Sequence, residues 1–102
     1  MDERRTLRVS EAVREELAEI IGFEMDDPRL VDVDVTEVTV SPDSRHATVK
    51  VACRGNERRQ NQAIAALEHA AGYLRRELAF RLLLRHVPEL HFDRDKNPEV
   101  ES

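Results

Sequence analysis

Little in this 102-residue chain is suited to covalent or catalytic chemistry. A single cysteine, Cys53, excludes an internal disulfide and a cysteine-based metal centre. No apolar run approaches the ~20 residues that a membrane-spanning helix needs. The first residues, Met1-Asp2-Glu3-Arg4-Arg5, lack the apolar core of a secretory signal, so a cytoplasmic protein is expected. There is no glycine-rich phosphate loop and no Gly-x-Ser-x-Gly nucleophile motif. His46, His69, His86 and His91 fall on different elements and show no spacing that suits a metal. Asp26, Asp27 and Asp43 read as helix-end and turn residues rather than paired catalytic carboxylates. The expectation is a non-enzymatic protein with no metal, no cofactor and no small-molecule substrate.

What the chain has in quantity is charge, 36% of its residues, with a net charge of −5. The sum argues against a nucleic-acid partner, but the distribution argues for one. Residues 1–28 hold nine acidic and four basic side chains. From Arg45 to Arg59 there are five basic residues against one acid, and from Tyr73 to Val87 four against one. An acidic first helix with basic clusters elsewhere suits binding of RNA through one face. The competing reading is a protein-interaction module whose arginines are merely solvated.

Periodicity gives six elements in the order α-β-β-α-α-β, an α+β domain with a three-stranded sheet packed by helices. Val9, Val13, Leu17, Ile20 and Ile21 form the apolar side of a helix from Thr6 to Met25, closed by Asp26-Asp27-Pro28. Val31 to Val35 alternates as a half-buried strand, and Val38 and Val40 continue it in the opposite phase. One inserted residue near Thr36-Glu37, a β-bulge, restores the register. Ser41-Pro42-Asp43-Ser44 is a turn, and Ala47, Val49, Val51 and Cys53 make a second strand with Cys53 as a packed core thiol. Gly55-Asn56 caps a helical run, Val87-Pro88 closes it, and Leu90 and Phe92 mark a third strand.

The helical run is too long to stay straight. Gln60, Ala63, Ile64, Leu67, Ala71, Leu74, Leu78 and Leu82 share one stripe, and Glu57 to His86 as one helix would be roughly 45 Å long. A domain of this size has a radius of gyration of about 13 Å. A bend is therefore expected at Ala70-Ala71-Gly72, with Gly72 supplying the backbone freedom. Arg75 and Arg76 beside the bend are the leading candidates for phosphate contact. Arg81 and Arg85 share a face at i, i+4, with Arg76 turned roughly 160° away. Arg45, Lys50, Arg54, Arg58 and Arg59 form the second basic group, with Lys50 pointing away from the core.

Short motifs spread over residues 4–97 resemble the ribosome-binding factor A family of bacterial small-subunit assembly factors. Asp27-Pro28-Arg29-Leu30 is similar to its helix-to-strand junction, and Val38-Thr39-Val40-Ser41-Pro42-Asp43 with Ala47-Thr48-Val49-Lys50-Val51 to its hairpin. Ala70-Ala71-Gly72-Tyr73-Leu74-Arg75 matches its interhelical kink, and Pro88-Glu89-Leu90-His91-Phe92 its last strand. Arg5 and Arg8 stand where the family carries paired basic residues. The resemblance implies a type II KH-like RNA-binding domain over 4–97, with an Ala-x-Gly kink at Ala70-Ala71-Gly72 in place of the usual Gly-x-x-Gly loop, followed by a short polar tail at 98–102. Many members continue past the last strand, where this chain stops at Ser102. It further implies a monomer that binds free small subunits and their rRNA, assists late maturation and rRNA processing, and supports growth in the cold.

Overall fold

The computed structural model describes residues 3–96; the polar tail expected at 98–102 lies outside the described residues. Helix α1, Glu3–Glu19, is followed by a π-helical turn at Ile20–Glu24 and a 3₁₀ turn at Pro28–Leu30. Strands β1, Val33–Val40, and β2, His46–Cys53, form an antiparallel hairpin. Helices α2, Glu57–His69, and α3, Ala71–Leu82, then lead to β3, Glu89–Arg94. The sheet order is β1-β2-β3, with β3 parallel to β2. This is the expected α-β-β-α-α-β order.

One face of the sheet carries the core. Val33, Val35, Val38 and Val40 of β1, Ala47, Val49 and Val51 of β2, and Leu90 and Phe92 of β3 are all buried. Against them pack Val13, Leu17, Ile20 and Ile21, together with Ala63, Ala66, Leu67, Leu74 and Leu78 from the helical pair. The bulge falls where the change of parity requires it, between Val35 and Glu37. The extra residue, Thr36, turns its hydroxyl to the Lys50 carbonyl at 3.2 Å and to Asp95 Oδ2 at 2.7 Å, which ties the bulge to the residue that follows β3. Cys53 is half-buried against the core, and burial raises its thiol pKa. Ser10, a buried polar residue of α1, accepts the Val40 N–H at 3.0 Å and pins the helix to the end of β1.

Local chemistry sets the boundaries. The π turn closes through Met25 N–H to the Ile20 carbonyl at 3.0 Å; its wider turn accompanies burial of the adjacent Ile20 and Ile21. Asp27 then caps the 3₁₀ turn by accepting the Arg29 N–H at 2.9 Å. Asn56 caps α2 through the Arg59 N–H at 2.9 Å, and Gly55 takes the left-handed φ of 106° that the turn needs.

The structure departs from the sequence reading at four points. Helix α1 begins at Glu3 rather than Thr6. Val31 lies outside β1 and is exposed, because the 3₁₀ turn and a left-handed Asp32 intervene. The helical run stops at Leu82, not His86, with Leu83 left-handed at φ 50°, ψ 40°. Helical pitch cannot point Leu82, Leu83 and Leu84 all at the core; Leu82 packs on it, whereas Leu83 is 88% exposed. Lastly, the break between the helices is as expected, but its pivot is Ala70, at φ −89°, ψ 2°. The Ala70 N–H is shared between the Ala66 and Leu67 carbonyls, at 3.0 and 3.1 Å. Gly72 sits inside the first turn of α3 without a positive φ. The molecule spans 38 Å at its longest, shorter than the unbroken helix would be.

Two backbone positions thus hold residues opposite to their local preference. A Cβ at Gly72 would meet only Arg76 Nη1 at 3.8 Å, so Gly72→Ala is expected to be neutral or stabilising by up to about 1 kcal/mol. Leu83→Gly removes the left-handed penalty of an exposed side chain and should stabilise by a similar ~1 kcal/mol. Urea unfolding of both variants checks the pair; a loss of stability at Gly72 would mean that its freedom is needed after all.

Candidate nucleic-acid interface

Strand β3 is an edge. Glu89 N–H donates to the Arg45 carbonyl and Asp95 N–H to the Val51 carbonyl, both at 2.8 Å. By the alternation of a strand, the amide and carbonyl groups of Leu90, Phe92 and Arg94 therefore turn away from β2, toward the open edge. Helix α2 packs along this edge, so that a shallow cleft runs between Phe92, Asp93 and Arg94 on one side and Asn61 and Ile64 on the other. Lys50 and Lys96 line the same cleft, and Arg58, one turn before Asn61, lies on the adjoining surface of α2. At the opposite end of β3, a second cleft brings Arg45 together with Arg75 and His86, beside Asp43 and Glu89. The second basic group expected from the sequence is thus divided, with Arg45 beside Arg75 at one end of the strand edge and Lys50 and Arg58 toward the other.

Not every basic side chain is free to bind a partner. Arg81 forms ion pairs with Glu16 at 3.5 Å, Glu77 at 3.3 Å and Glu24, joining α3 to α1 and the π turn. These carboxylates hold its guanidinium in the charged form, with pKa raised above the ordinary value. Arg75 donates Nε–H to the Pro88 carbonyl at 3.1 Å and Nη2–H to the Val87 carbonyl at 3.0 Å, so it fastens the entry to β3 onto α3. Arg75, a candidate for phosphate contact, therefore also has a structural role, and reversing its charge would cost stability. Arg85 lies in the loop beyond α3, so the i, i+4 face expected with Arg81 does not form. Lys50 does point away from the core, where it pairs with Glu37 at 3.6 Å.

Arg45, Arg54, Arg58, Arg59, Arg76 and Arg85 are exposed, as are Arg5 and Arg8 on α1. Arg76 folds back beside Gly72, one turn after the pivot at Ala70, while Ala70 and Ala71 pack partly against the core. The solvent face of α3 also carries what basic-residue counting missed. At roughly 100° per residue, Tyr73, Arg76 and Phe80 fall within about 60° of one another, and Phe80 is 82% exposed. The missed signal was Phe80, which sits off the leucine stripe of its own helix.

The hairpin turn that carries Arg45 is built by Asp43. Its Oδ1 accepts the Ser41 hydroxyl at 2.6 Å and the Arg45 N–H at 3.0 Å, and these bonds lower the carboxyl pKa. Asp27 is held low in the same way by the Arg29 side chain and then its backbone N–H. Both acids are thus accounted for by turn chemistry.

The sequence model of the ribosome-binding factor A family matches residues 5–102. Ribosome-binding factor A of Solibacter usitatus is 81% identical over 102 residues, covering all of this chain and 83% of that protein. The crystal structure of ribosome-binding factor A from Thermus thermophilus superposes with a TM-score of 0.79 at 30% identity, over 87% of this chain and 94% of that one. A homology model of the Thermus thermophilus factor, fitted into a cryo-EM map of a 30S complex, superposes with a TM-score of 0.73 at 31% identity, over 88% of this chain and 94% of that one.

These assignments separate charges that hold the fold from charges that do not. Arg81→Met is expected to lower the melting temperature and Arg76→Met to leave it unchanged, with the Arg81 loss shrinking at high salt as the ion pairs are screened. Asp43 supplies a pH test. A carboxyl depressed on folding contributes stability above its ordinary value of 3.8, lost as pH falls through the folded value. The parent melting temperature should therefore fall more steeply below about pH 4 than that of Asp43→Asn. Circular dichroism melts over salt and pH measure both.

Proposed function

The chain belongs to the ribosome-binding factor A family, and on that premise we propose that it binds the free small ribosomal subunit through rRNA, as a monomeric, non-catalytic assembly factor. The part it plays is late maturation of the subunit in the cytoplasm, including rRNA processing and growth in the cold. The observation that carries the reading is the open β3 edge with basic side chains at both of its ends. This is the arrangement a KH-like domain needs, with main-chain groups for bases and cations for the backbone.

The binding surface combines three parts. Arg45 stands at one end of the edge; Lys50, Arg54, Arg58, Arg59 and Lys96 stand toward the other. Near the entry to β3, the helix junction at Ala70-Ala71-Gly72 lets a sugar-phosphate backbone come close, with Arg76 beside it. Tyr73 and Phe80 offer ring faces for unpaired bases, an interaction that tolerates any base because every base has a π-face. Arg5, Arg8 and Arg85 are outlying contacts. Arg81 is left out, because three glutamates already neutralise it. Arg75 takes part mainly by holding the β3 entry in place.

Co-sedimentation with purified small subunits at two salt concentrations tests the reading. Arg58→Glu with Arg76→Glu should weaken association strongly and flatten its salt dependence, by about 0.7–0.9 in the log–log slope for each phosphate no longer neutralised. Phe80→Ala with Tyr73→Ala should weaken association with the slope unchanged, on the order of 1–3 kcal/mol for each stacked base. The fold should survive both changes, since all four side chains are exposed. If the arginine reversals bind like the parent at both salt concentrations, a protein-interaction module takes the place of the RNA reading.

A further inference from the structure

The parallel pairing of β2 with β3 assembles a cluster that sequence spacing does not show. His46 opens β2 and lies directly opposite Glu89, which opens β3; His91 follows two residues later on the same outward face. His46 Nδ1 and His91 Nε2 are 3.0 Å apart, with ring centroids at 5.2 Å and planes tilted by 35°. Glu89 Oε2 stands 4.0 Å from His46 Nδ1. One ligand atom from each of the three side chains lies within 4.8 Å of the others, and all three residues are exposed. We propose that His46, Glu89 and His91 form a binding site for a borderline divalent transition-metal ion, Zn²⁺ foremost, on the open face of the sheet.

Geometry carries the assignment. Two imidazole nitrogens bound tetrahedrally, with Zn–N bonds of about 2.0–2.1 Å, lie about 3.3 Å apart. The observed separation of 3.0 Å, a hydrogen-bond distance between the two rings, is reached from there by a small rotation of exposed rings. The carboxylate, 4.0 Å from His46 Nδ1, joins by a change in its exposed side-chain torsions. Two imidazoles and one carboxylate suit zinc, and not calcium or magnesium, which want oxygen. The three ligands come from two hydrogen-bonded strands whose register fixes their spacing, and the exposed fourth position is open to water or to a donor from a partner. Bound there, the ion clips the start of β3 to β2. Cys53 lies at the far end of β2 and takes no part.

The test uses the full chain without a histidine tag, titrated with Co²⁺ and Zn²⁺ at about pH 7.5, above the ordinary imidazole value of about 6.5. Co²⁺ should give the intense visible bands of a four-coordinate site with no thiolate charge-transfer band, and Zn²⁺ should displace it at one equivalent. Zn²⁺ should also raise the melting temperature, because it binds the folded state preferentially. His46→Gln and His91→Gln should each weaken binding by about tenfold or more and abolish the thermal shift. Glu89→Gln should weaken it less, and His86→Gln should match the parent. The variants keep exposed polar side chains, so their metal-free melting temperatures should equal that of the parent. Six-coordinate Co²⁺ spectra, a thiolate band, or binding that survives both histidine substitutions would overturn the assignment.

Discussion

Strand β3 joins the sheet parallel to β2, and a parallel neighbour cannot be reached through a tight turn. The chain must leave the end of β2, travel the length of the sheet and return to its starting edge. Helices α2 and α3 are that return path, and they bury the leucine stripe that covers the sheet. The break at Ala70 follows from the same demand, because an unbroken return helix would exceed the longest dimension of the molecule. Arg75 completes the crossover, holding the carbonyls of Val87 and Pro88 just before β3 begins. The open edge, the clefts at its ends and the helix junction beside it are all consequences of one parallel pairing.

The local parts of this architecture were legible in the sequence because they depend on near neighbours. The change of parity between Val35 and Val38 located the bulge, since a strand that buries valines on one side can reverse phase only by inserting a residue. The stripe from Gln60 to Leu82 gave the helical pair, and its length gave the break. The pivot was less legible. Glycine was expected there, yet Ala70 makes the break without positive φ, in the sparsely populated bridge region that an L-residue can still occupy. The end of α3 was missed for a related reason. Three consecutive leucines look helical, and only the folded core shows that one of them must face solvent.

The charged residues divide along the same line. Sequence counted Arg75, Arg76, Arg81 and Arg85 as one basic stretch and could separate Arg76 from Arg81 and Arg85 only by helical angle. Tertiary contacts give each a different role, and the partners responsible lie far away: Glu16 and Glu24 for Arg81, and the carbonyls of the loop before β3 for Arg75. A count of arginines cannot anticipate this, because an ion pair depends on which helices meet. The histidines show the converse. His46 and His91 looked unrelated at their separation in sequence, and only the register of β2 against β3 brings them into contact.

The two-residue period of β3 lets one short strand serve three surfaces at once. Leu90 and Phe92 send their side chains into the core, while Glu89, His91 and Asp93 face outward. The backbone groups alternate in the plane between them, those of Glu89 and Asp95 bonding to β2 and those of Leu90, Phe92 and Arg94 left for the open edge. A slip of one residue would put Leu90 and Phe92 in water and bury His91 and Asp93, so the register that secures the core also fixes everything presented outside it. Two interactions hold that register from its ends. Arg75 fastens the entry, and Asp95 meets the Thr36 hydroxyl of the β1 bulge just after the exit. The bulge, which first restores the phase of β1, thereby also anchors the far end of the strand on which the edge, the clefts and the outer face depend.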